Sequence, residues 1–248
     1  MSFSPRLSGS FMPAPASGGR NIAVLFFSRS AAAESRSKQF VKGNAAQNER
    51  ISRLLIDTAL DNVRASGLPC FVFDESQQVG KTFGTRLSNA FQAIYDKGFD
   101  AVISVGNDTP ALSQVAWPEV IRSLQQGRAV IGPSHSGGAY LIGMPKALFD
   151  VRRFQALPWR SSALLGALQP FLSTDGNAPP LLLAPCHDIN SGRELRYFLR
   201  GRFSGRLRWF QLRLRALLSS HITAETRLHD VPRPHHHYIY SRPPPAAG

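Results

Sequence analysis

The stretch AVISVGNDTPAL, residues 101–112, decides the fold of this chain. Its first five residues form a mostly apolar run of the length that a strand buried on both faces requires. The turn that follows is bounded by Gly106 and Pro110, and a proline fits the first position of a new helix. Asp108 stands inside this turn. It is well placed to bind a divalent metal together with substrate phosphates, although a carboxylate at this position is also a common helix cap.

Strand and helix signals alternate on both sides of this stretch. Other short apolar segments predict strands at residues 21–27, 69–73, 128–132, 138–143 and 181–184. Apolar residues at helical spacing predict helices over residues 44–66, 84–97, 110–126, 161–172 and from 191 onward. The polar and basic residues 29–43 are expected to form a loop. The alternation indicates an α/β fold, with a mainly parallel sheet covered by helices on both faces.

Two glycine-containing turns are expected to form the ligand site. Ligands in such sheets bind beyond the carboxyl ends of the strands, which places the turn 106–110 and the loop 132–138 at the site. The loop belongs to IGPSHSGGAYLIGM, residues 131–144, which holds four glycines. Backbone amides exposed by such glycines can bind an anion, but the same residues also suit a tight connection between two strands.

The positive charge of the chain is concentrated at its two ends. The 248 residues carry a formal net charge of +13, of which +5 falls on residues 1–50 and +8 on residues 193–248, whereas residues 51–192 are neutral. This distribution indicates a neutral domain with cationic extensions. We therefore expect a flexible leader over residues 1–19, one domain over 20–200, a basic helical extension over 201–231 and a disordered tail over 232–248.

The basic segment 193–220 has two interpretations. Its eight arginines alternate with leucine and aromatic residues. It is either a helix docked on the domain with solvated arginines or a contact to an anionic membrane surface. Its apolar content is high for an RNA-binding arm, so we expect no nucleic-acid partner. No apolar run reaches the roughly 18 residues of a membrane span, and residues 1–20 lack the apolar core of a secretory signal. We therefore expect a cytoplasmic protein, which is peripheral to the membrane if the segment 193–220 binds lipid.

Four motifs in a fixed order resemble one bacterial family. They are QVGKTFGTRLSNAF at 78–91, AVISVGNDTPAL at 101–112, VIGPSHSGGAYLIGM at 130–144 and PWRSS at 158–162. Together they resemble the uncharacterised family DUF2064 of the GT-A glycosyltransferase-like superfamily, over residues 20–200. The resemblance implies a GT-A-like, Rossmann-like three-layer sandwich. It also implies a metal-dependent glycosyl- or nucleotidyltransferase that uses a nucleotide-activated donor and an acceptor that the sequence does not name.

The resemblance also implies roles for individual residues. By this resemblance, Asp108 is expected to be a catalytic residue and the ligand of Mg²⁺ or Mn²⁺. Asp188 is expected to be a catalytic base or a second metal ligand. The residues that match nucleotide-binding positions of the family are Gln78, Gly80, Gly84, Arg86, Gly106, Gly137, Gly138 and Trp159. Arg86 fits a phosphate clamp, and it fits equally well a structural ion pair on a helix surface.

Several positions depart from the family pattern. Ser136 and Asn190 stand where the family has aspartates, and Arg160 looks inserted into a Trp-Ser-Thr element. The family's phosphate-gripping loop, which ends in Lys-Thr-Arg-Leu, is replaced by SRSAAAESRSKQFVKG at residues 28–43. This stretch keeps positive charge through its basic residues Arg29, Arg36, Lys38 and Lys42. The alternative function is therefore a catalytically degenerate GT-A scaffold that binds a ligand or partner without turnover.

Overall fold

The fold is built on a six-stranded sheet with the order β2-β1-β3-β5-β4-β6. The computed structural model describes residues 19–173 and 178–219. The strands are β1 (Ile22–Phe27), β2 (Cys70–Phe73), β3 (Ala101–Val105), β4 (Val130–Pro133), β5 (Ala139–Pro145) and β6 (Leu181–Leu182). Only β5 among them runs antiparallel to its neighbours, β3 and β4. The prediction of an α/β fold with a mainly parallel sheet is confirmed.

The helices lie on both faces of this sheet. They are α1 (Ala31–Ser37), α2 (Ala45–Arg64), α3 (Phe83–Tyr95), α4 (Trp117–Gln125), α5 (Val151–Gln155), α6 (Leu164–Leu172), α7 (Gly192–Arg200) and α8 (Gly205–Ser219). Short 3₁₀ turns occur at Pro110–Gln114 and Lys146–Leu148. The expected disordered tail, the end of the expected extension and residues 1–18 of the expected leader lie outside the described residues.

Alternating side chains of the central strands build two apolar layers. Leu25 and Val102 point to the face covered by α3 and α6, whereas Val24 and Ile103 point to the face covered by α2 and α4. All four side chains are fully buried. Successive side chains of a strand point to opposite faces of the sheet, and both faces are buried here. These strands therefore appear in the sequence as continuous apolar runs. The result is the three-layer sandwich that the resemblance implies.

Two local predictions are wrong. The expected loop 29–43 contains α1, because the Ser30 side chain accepts a hydrogen bond from the Ala33 amide and caps a run of three alanines. The expected continuous helix 110–126 is divided into a 3₁₀ turn and α4. Pro118 explains the division, since it has no amide hydrogen for the preceding turn and its ring would clash with the carbonyl four residues earlier.

The basic helix α8 packs on α2 and α7. Leu207, Phe210 and Leu214 form a buried stripe against the apolar side chains of these two helices. The buried Gln211 amide donates to carbonyls at the end of α7, the shortest contact being 2.8 Å to Gly201. The arginines of α8 lie on its exposed face. In the part of the chain that the structure describes, no helix is both long and apolar enough to cross a membrane.

Candidate functional site

A polar cleft opens at the carboxyl ends of β1, β3 and β4. Its volume is about 560 Å³, which lies within the usual range of small-molecule sites. The charged side chains that line it are Arg29, Glu34, Lys38, Arg86, Asp108, Arg160 and Asp188. The cleft lies where open α/β sheets bind their ligands, and four cations and three carboxylates give it a slight excess of positive charge.

An ion-paired lysine lines this cleft. Lys38 follows α1, and its ammonium contacts Asp108 Oδ1 in the turn after β3 and lies 2.8 Å from Glu34 Oε2. The Lys38 side chain is only 14% exposed. Burial by itself would lower the pKa of Lys38, but the Asp108 and Glu34 carboxylates outweigh it and raise the pKa. The ammonium therefore stays charged at neutral pH.

Asp188 lies beside this ion pair. Its carboxylate accepts a 2.6 Å hydrogen bond from Thr109 Oγ1, and the next amide, Ile189 N, donates to the Asp108 carbonyl at 2.8 Å. These two bonds hold the 188–190 segment against the turn after β3. Burial raises the pKa of Asp188, the Thr109 hydrogen bond opposes this, and the nearby Asp108 charge adds to the rise. Asp188 is therefore suited to accept a proton.

The donor set around Asp108 does not suit a hard divalent cation. No group of three or more His, Cys, Asp or Glu side chains that could hold a metal occurs within residues 19–173 and 178–219. The ammonium of Lys38 contacts the Asp108 carboxylate, and Ser136, which stands in place of an aspartate, shares a 2.6 Å hydrogen bond with Ser134. Mg²⁺ requires several oxygen ligands in octahedral order, usually carboxylates, phosphates and water. The assignment of Mg²⁺ or Mn²⁺ to Asp108 stays a prediction, and these contacts speak against it.

The residues expected to bind a nucleotide divide into two groups. Gln78, Arg86, Gly106, Gly138 and Trp159 line the cleft together with Asp108 and Asp188. The other three, Gly80, Gly84 and Gly137, do not line the cleft. The structure thus brings together seven of the ten expected residues, while the remaining three glycines serve the packing of the walls.

Gln78 and Gly80 position the segment that leads into α3. The Gln78 amide donates to the carbonyl of Ser28 at 3.0 Å and to that of Phe73 at 2.9 Å, so it ties together the ends of β1 and β2. Gly80 has φ 135°, a conformation that side chains rarely adopt, and a Cβ there would lie 2.8 Å from Thr85 Cγ2. Gln78 thus fixes this segment through its side-chain amide, and Gly80 does so through its backbone conformation.

Gly84 and Gly137 allow close approaches between neighbouring segments. A Cβ on Gly84 would lie 2.5 Å from Trp159 Cδ1 and 2.6 Å from the Gln155 carbonyl oxygen. A Cβ on Gly137 would lie 2.3 Å from the Ser162 carbonyl oxygen, and Gly137 also has φ 86°. Trp159 is fixed in this packing, because its indole N–H donates to the Phe154 carbonyl at 2.8 Å.

Three arginines on the cleft wall have no acidic partner. Arg29, Arg86 and Arg160 form no ion pair with any side chain in the described part of the chain. Arg160 has φ 63°, a left-handed conformation that is uncommon for a residue with a side chain. Guanidinium groups that face a cleft without a carboxylate partner are suited to bind phosphate oxygens.

Sequence reasoning missed Glu34 and the central position of Lys38. The signal for their pairing was present as a glutamate and a lysine four residues apart, a spacing that places both on one face of a helix. It was hidden because α1 has only seven residues and little apolar periodicity.

Comparison with known proteins confirms the family resemblance and the fold. Residues 44–161 match the model of DUF2064, a family of uncharacterized proteins conserved in bacteria. A similar structure is that of a protein from Desulfovibrio desulfuricans G20 provisionally assigned as a nucleotide-diphospho-sugar transferase, with 20% identity, coverage of 81% of this chain and 98% of that chain, and a TM-score of 0.66.

A weaker structural match is Rv0371c from Mycobacterium tuberculosis H37Rv, with 13% identity, coverage of 73% and 97% of the two chains, and a TM-score of 0.41. No curated protein matches the sequence. At 20% identity the likeness to the D. desulfuricans protein shows a shared fold. Residues 44–161 therefore resemble the DUF2064 family, and the chain shares the fold of the D. desulfuricans protein.

Proposed function

We propose that the protein is a transferase that takes a nucleotide-activated sugar as its donor and binds the donor diphosphate in the cleft. The observation that carries this proposal is the set of three arginines, Arg29, Arg86 and Arg160, that line the cleft without carboxylate partners among the described residues. The fold shared with a provisionally assigned nucleotide-diphospho-sugar transferase supports a sugar nucleotide over other phosphate compounds.

The cleft residues fit the charge changes of glycosyl transfer. The acceptor oxygen forms a bond to the anomeric carbon of the donor sugar, while the bond from that carbon to the diphosphate oxygen breaks. The nucleoside diphosphate leaves with the bonding electrons, and the arginines stabilise its developing charge. Asp188 accepts the proton of the acceptor hydroxyl, a role that its raised pKa supports. Trp159 offers an aromatic surface for the base or the sugar.

The second candidate is a scaffold that binds a nucleotide ligand without turnover. Three observations favour it: Ser136 and Asn190 replace two expected carboxylates, and Asp108 is paired with Lys38. This candidate shares the phosphate-binding wall with the first, so binding alone does not separate them. Product analysis does, because only the transferase releases a nucleoside diphosphate.

The test begins with thermal unfolding against a panel of nucleoside triphosphates and nucleotide sugars. A specific ligand at 100 times its Kd is expected to add about 2.7 kcal/mol to the free energy of unfolding. Arg86→Gln is expected to abolish this gain. The matched control is Arg122→Gln, which removes an exposed arginine from α4 and is expected to leave it unchanged. A protein that no nucleotide or nucleotide sugar stabilises would contradict the proposal.

The bound nucleotide is then incubated with the protein and the products are separated. Release of a nucleoside diphosphate from a sugar nucleotide supports glycosyl transfer to water or an added acceptor. Release of pyrophosphate from a triphosphate indicates nucleotidyl transfer instead. Tight binding with neither product favours the scaffold without turnover.

A further inference from the structure

The positive charge nearest to Asp108 is part of the chain itself. Lys38 contacts Asp108 and lies 2.8 Å from Glu34, and its side chain is 14% exposed, compared with 10% for Glu34. Glu34 and Lys38 lie one helical turn apart at the end of α1, whereas Asp108 is 70 residues away in sequence. The fold therefore holds an ammonium between two carboxylates that line the cleft with it.

This ammonium has at least one hydrogen left for a ligand. A lysine ammonium carries three donors and no acceptor; Asp108 accepts one of them, and Glu34 Oε2 is an ion-pair neighbour at 2.8 Å. Lys38 also lines the cleft, so its remaining donor is within reach of a bound molecule. An anionic ligand at this point would contact the Lys38 ammonium, which the Asp108 and Glu34 carboxylates hold in position.

The same contact works against a divalent metal. To reach the Asp108 carboxylate, a metal ion must displace Lys38 and then remain close to its positive charge. The cost of that repulsion rises in a site with little exposure to water. The replacements at Ser136 and Asn190 remove two carboxylates that would have offset it.

We propose that Lys38 is the resident cation of the cleft: it takes the place of a divalent metal at Asp108 and donates to the donor diphosphate, so that donor binding needs no metal. The inference deepens the proposed function and rests on it. Lys38 is thereby a binding residue for the leaving diphosphate, and Asp108 and Glu34 are the residues that position it.

The first experiment measures Mn²⁺ alone, by electron paramagnetic resonance of the free ion. The wild-type protein is expected to bind no Mn²⁺ that depends on Asp108, as judged against Asp108→Asn. Lys38→Met frees two carboxylates and is expected to create Mn²⁺ binding, which the double variant with Asp108→Asn then loses. Asp108-dependent Mn²⁺ binding by the wild type, or an Mn²⁺ affinity unchanged by Lys38→Met, overturns the inference.

The second experiment measures ADP, GDP, CDP and UDP by calorimetry, in excess EDTA and in excess MgCl₂. The Kd of the wild type for its preferred diphosphate is expected to agree within about twofold in the two buffers, because no ion takes part. Lys38→Met is expected to weaken binding in EDTA by about tenfold to a hundredfold, the usual effect of losing a charged hydrogen bond, and Lys38→Arg to recover part of it. Lys97→Met, in the exposed turn after α3, is the control and is expected to bind as the wild type does.

The outcomes separate this inference from the proposed function. Binding that EDTA abolishes in the wild type overturns the role of Lys38 and leaves the transferase proposal standing. Absence of binding in both buffers overturns the transferase proposal itself. The EDTA comparison uses the wild-type protein, so it decides the matter even if Lys38→Met fails to fold.

Discussion

Replacing Gly84 by alanine tests whether this glycine serves packing or ligand binding. Gly84 lies in the first turn of α3, and an added Cβ would lie 2.5 Å from Trp159 Cδ1 and 2.6 Å from the Gln155 carbonyl oxygen. Neither distance is compatible with a real Cβ contact. Because the Gln155 oxygen belongs to the backbone of α5, rotation of one side chain cannot relieve the contact, and α3 and α5 must move apart.

The size of the effect follows from two opposing contributions. Inserting a methyl group into a packed contact costs about 1–3 kcal/mol, whereas alanine is favoured over glycine in a helix by up to about 1 kcal/mol. We expect Gly84→Ala to lower the free energy of unfolding by about 1–2 kcal/mol. Gly166→Ala is the matched control, because Gly166 also lies in the first turn of a helix, α6, and a Cβ there would meet no heavy atom within 4 Å. Only the helix-propensity gain applies to it.

Urea unfolding followed by far-UV circular dichroism measures both variants against the wild type. The same chemical change is expected to destabilise the protein at position 84 and to leave it equal or more stable at position 166. If Gly84→Ala is as stable as Gly166→Ala, then α3 and α5 do not lie as close together at Gly84 as the structure places them. If it is also stable but has lost nucleotide binding, Gly84 has the binding role that the family resemblance implies.

Three further predictions concern single side chains. Because the pKa of Asp188 is raised, the folded state holds the Asp188 proton more tightly than the unfolded state, and ionisation of Asp188 lowers stability as the pH rises above the ordinary carboxyl pKa. Asp188→Asn is therefore expected to be more stable than the wild type in urea unfolding at pH 7, and the difference is expected to close toward pH 4. Equal stabilities at pH 7 would contradict this. Gln211→Leu removes the side-chain donor of the part-buried Gly201 carbonyl and is expected to lower the unfolding free energy by about 1–3 kcal/mol. A smaller loss would mean that α8 does not seal the end of α7. Burial raises the pKa of Cys70 to about 11, so its reaction with an aromatic disulfide reagent at pH 8, measured in Cys186→Ser, is expected to be about a hundredfold slower than that of a free thiol; rapid labelling of the folded protein would refute the burial.

The elements that sequence reasoning predicted are those whose own residues determine them. β3 follows from a run of buried apolar residues, and α2 follows from apolar positions at helical spacing over twenty residues. Helix α1 could not be found in this way, since its stability depends on contacts from elsewhere. The amide of its capping residue, Ser30, donates to Glu75 at 2.6 Å, and Glu75 lies 45 residues away in the sequence. A seven-residue helix held by tertiary contacts leaves little periodic signal.

The candidate site was predictable in position but not in its charge arrangement. Asp108 could be placed at the end of a buried strand because the apolar run and the glycine-proline turn are contiguous in the sequence. Its contact with Lys38 joins residues 70 positions apart in the sequence, and no local pattern encodes such a contact. For the same reason, the glycines of the motifs could not be separated beforehand into cleft and wall.

The contacts of Lys38 and the backbone conformation of Arg160 bear on the departures from the family pattern. A site that binds nothing would need no positive partner for Asp108. Lys38, at the end of α1, nevertheless contacts Asp108 and lies between it and Glu34. Arg160, the residue that looked inserted, keeps a left-handed backbone conformation that costs about 1–2 kcal/mol for a residue with a Cβ, and it lines the cleft. Fixed positive charge beside the Asp108 carboxylate, together with a strained arginine on the same cleft, is the arrangement expected of the proposed phosphate site, in which side chains take the place of a metal.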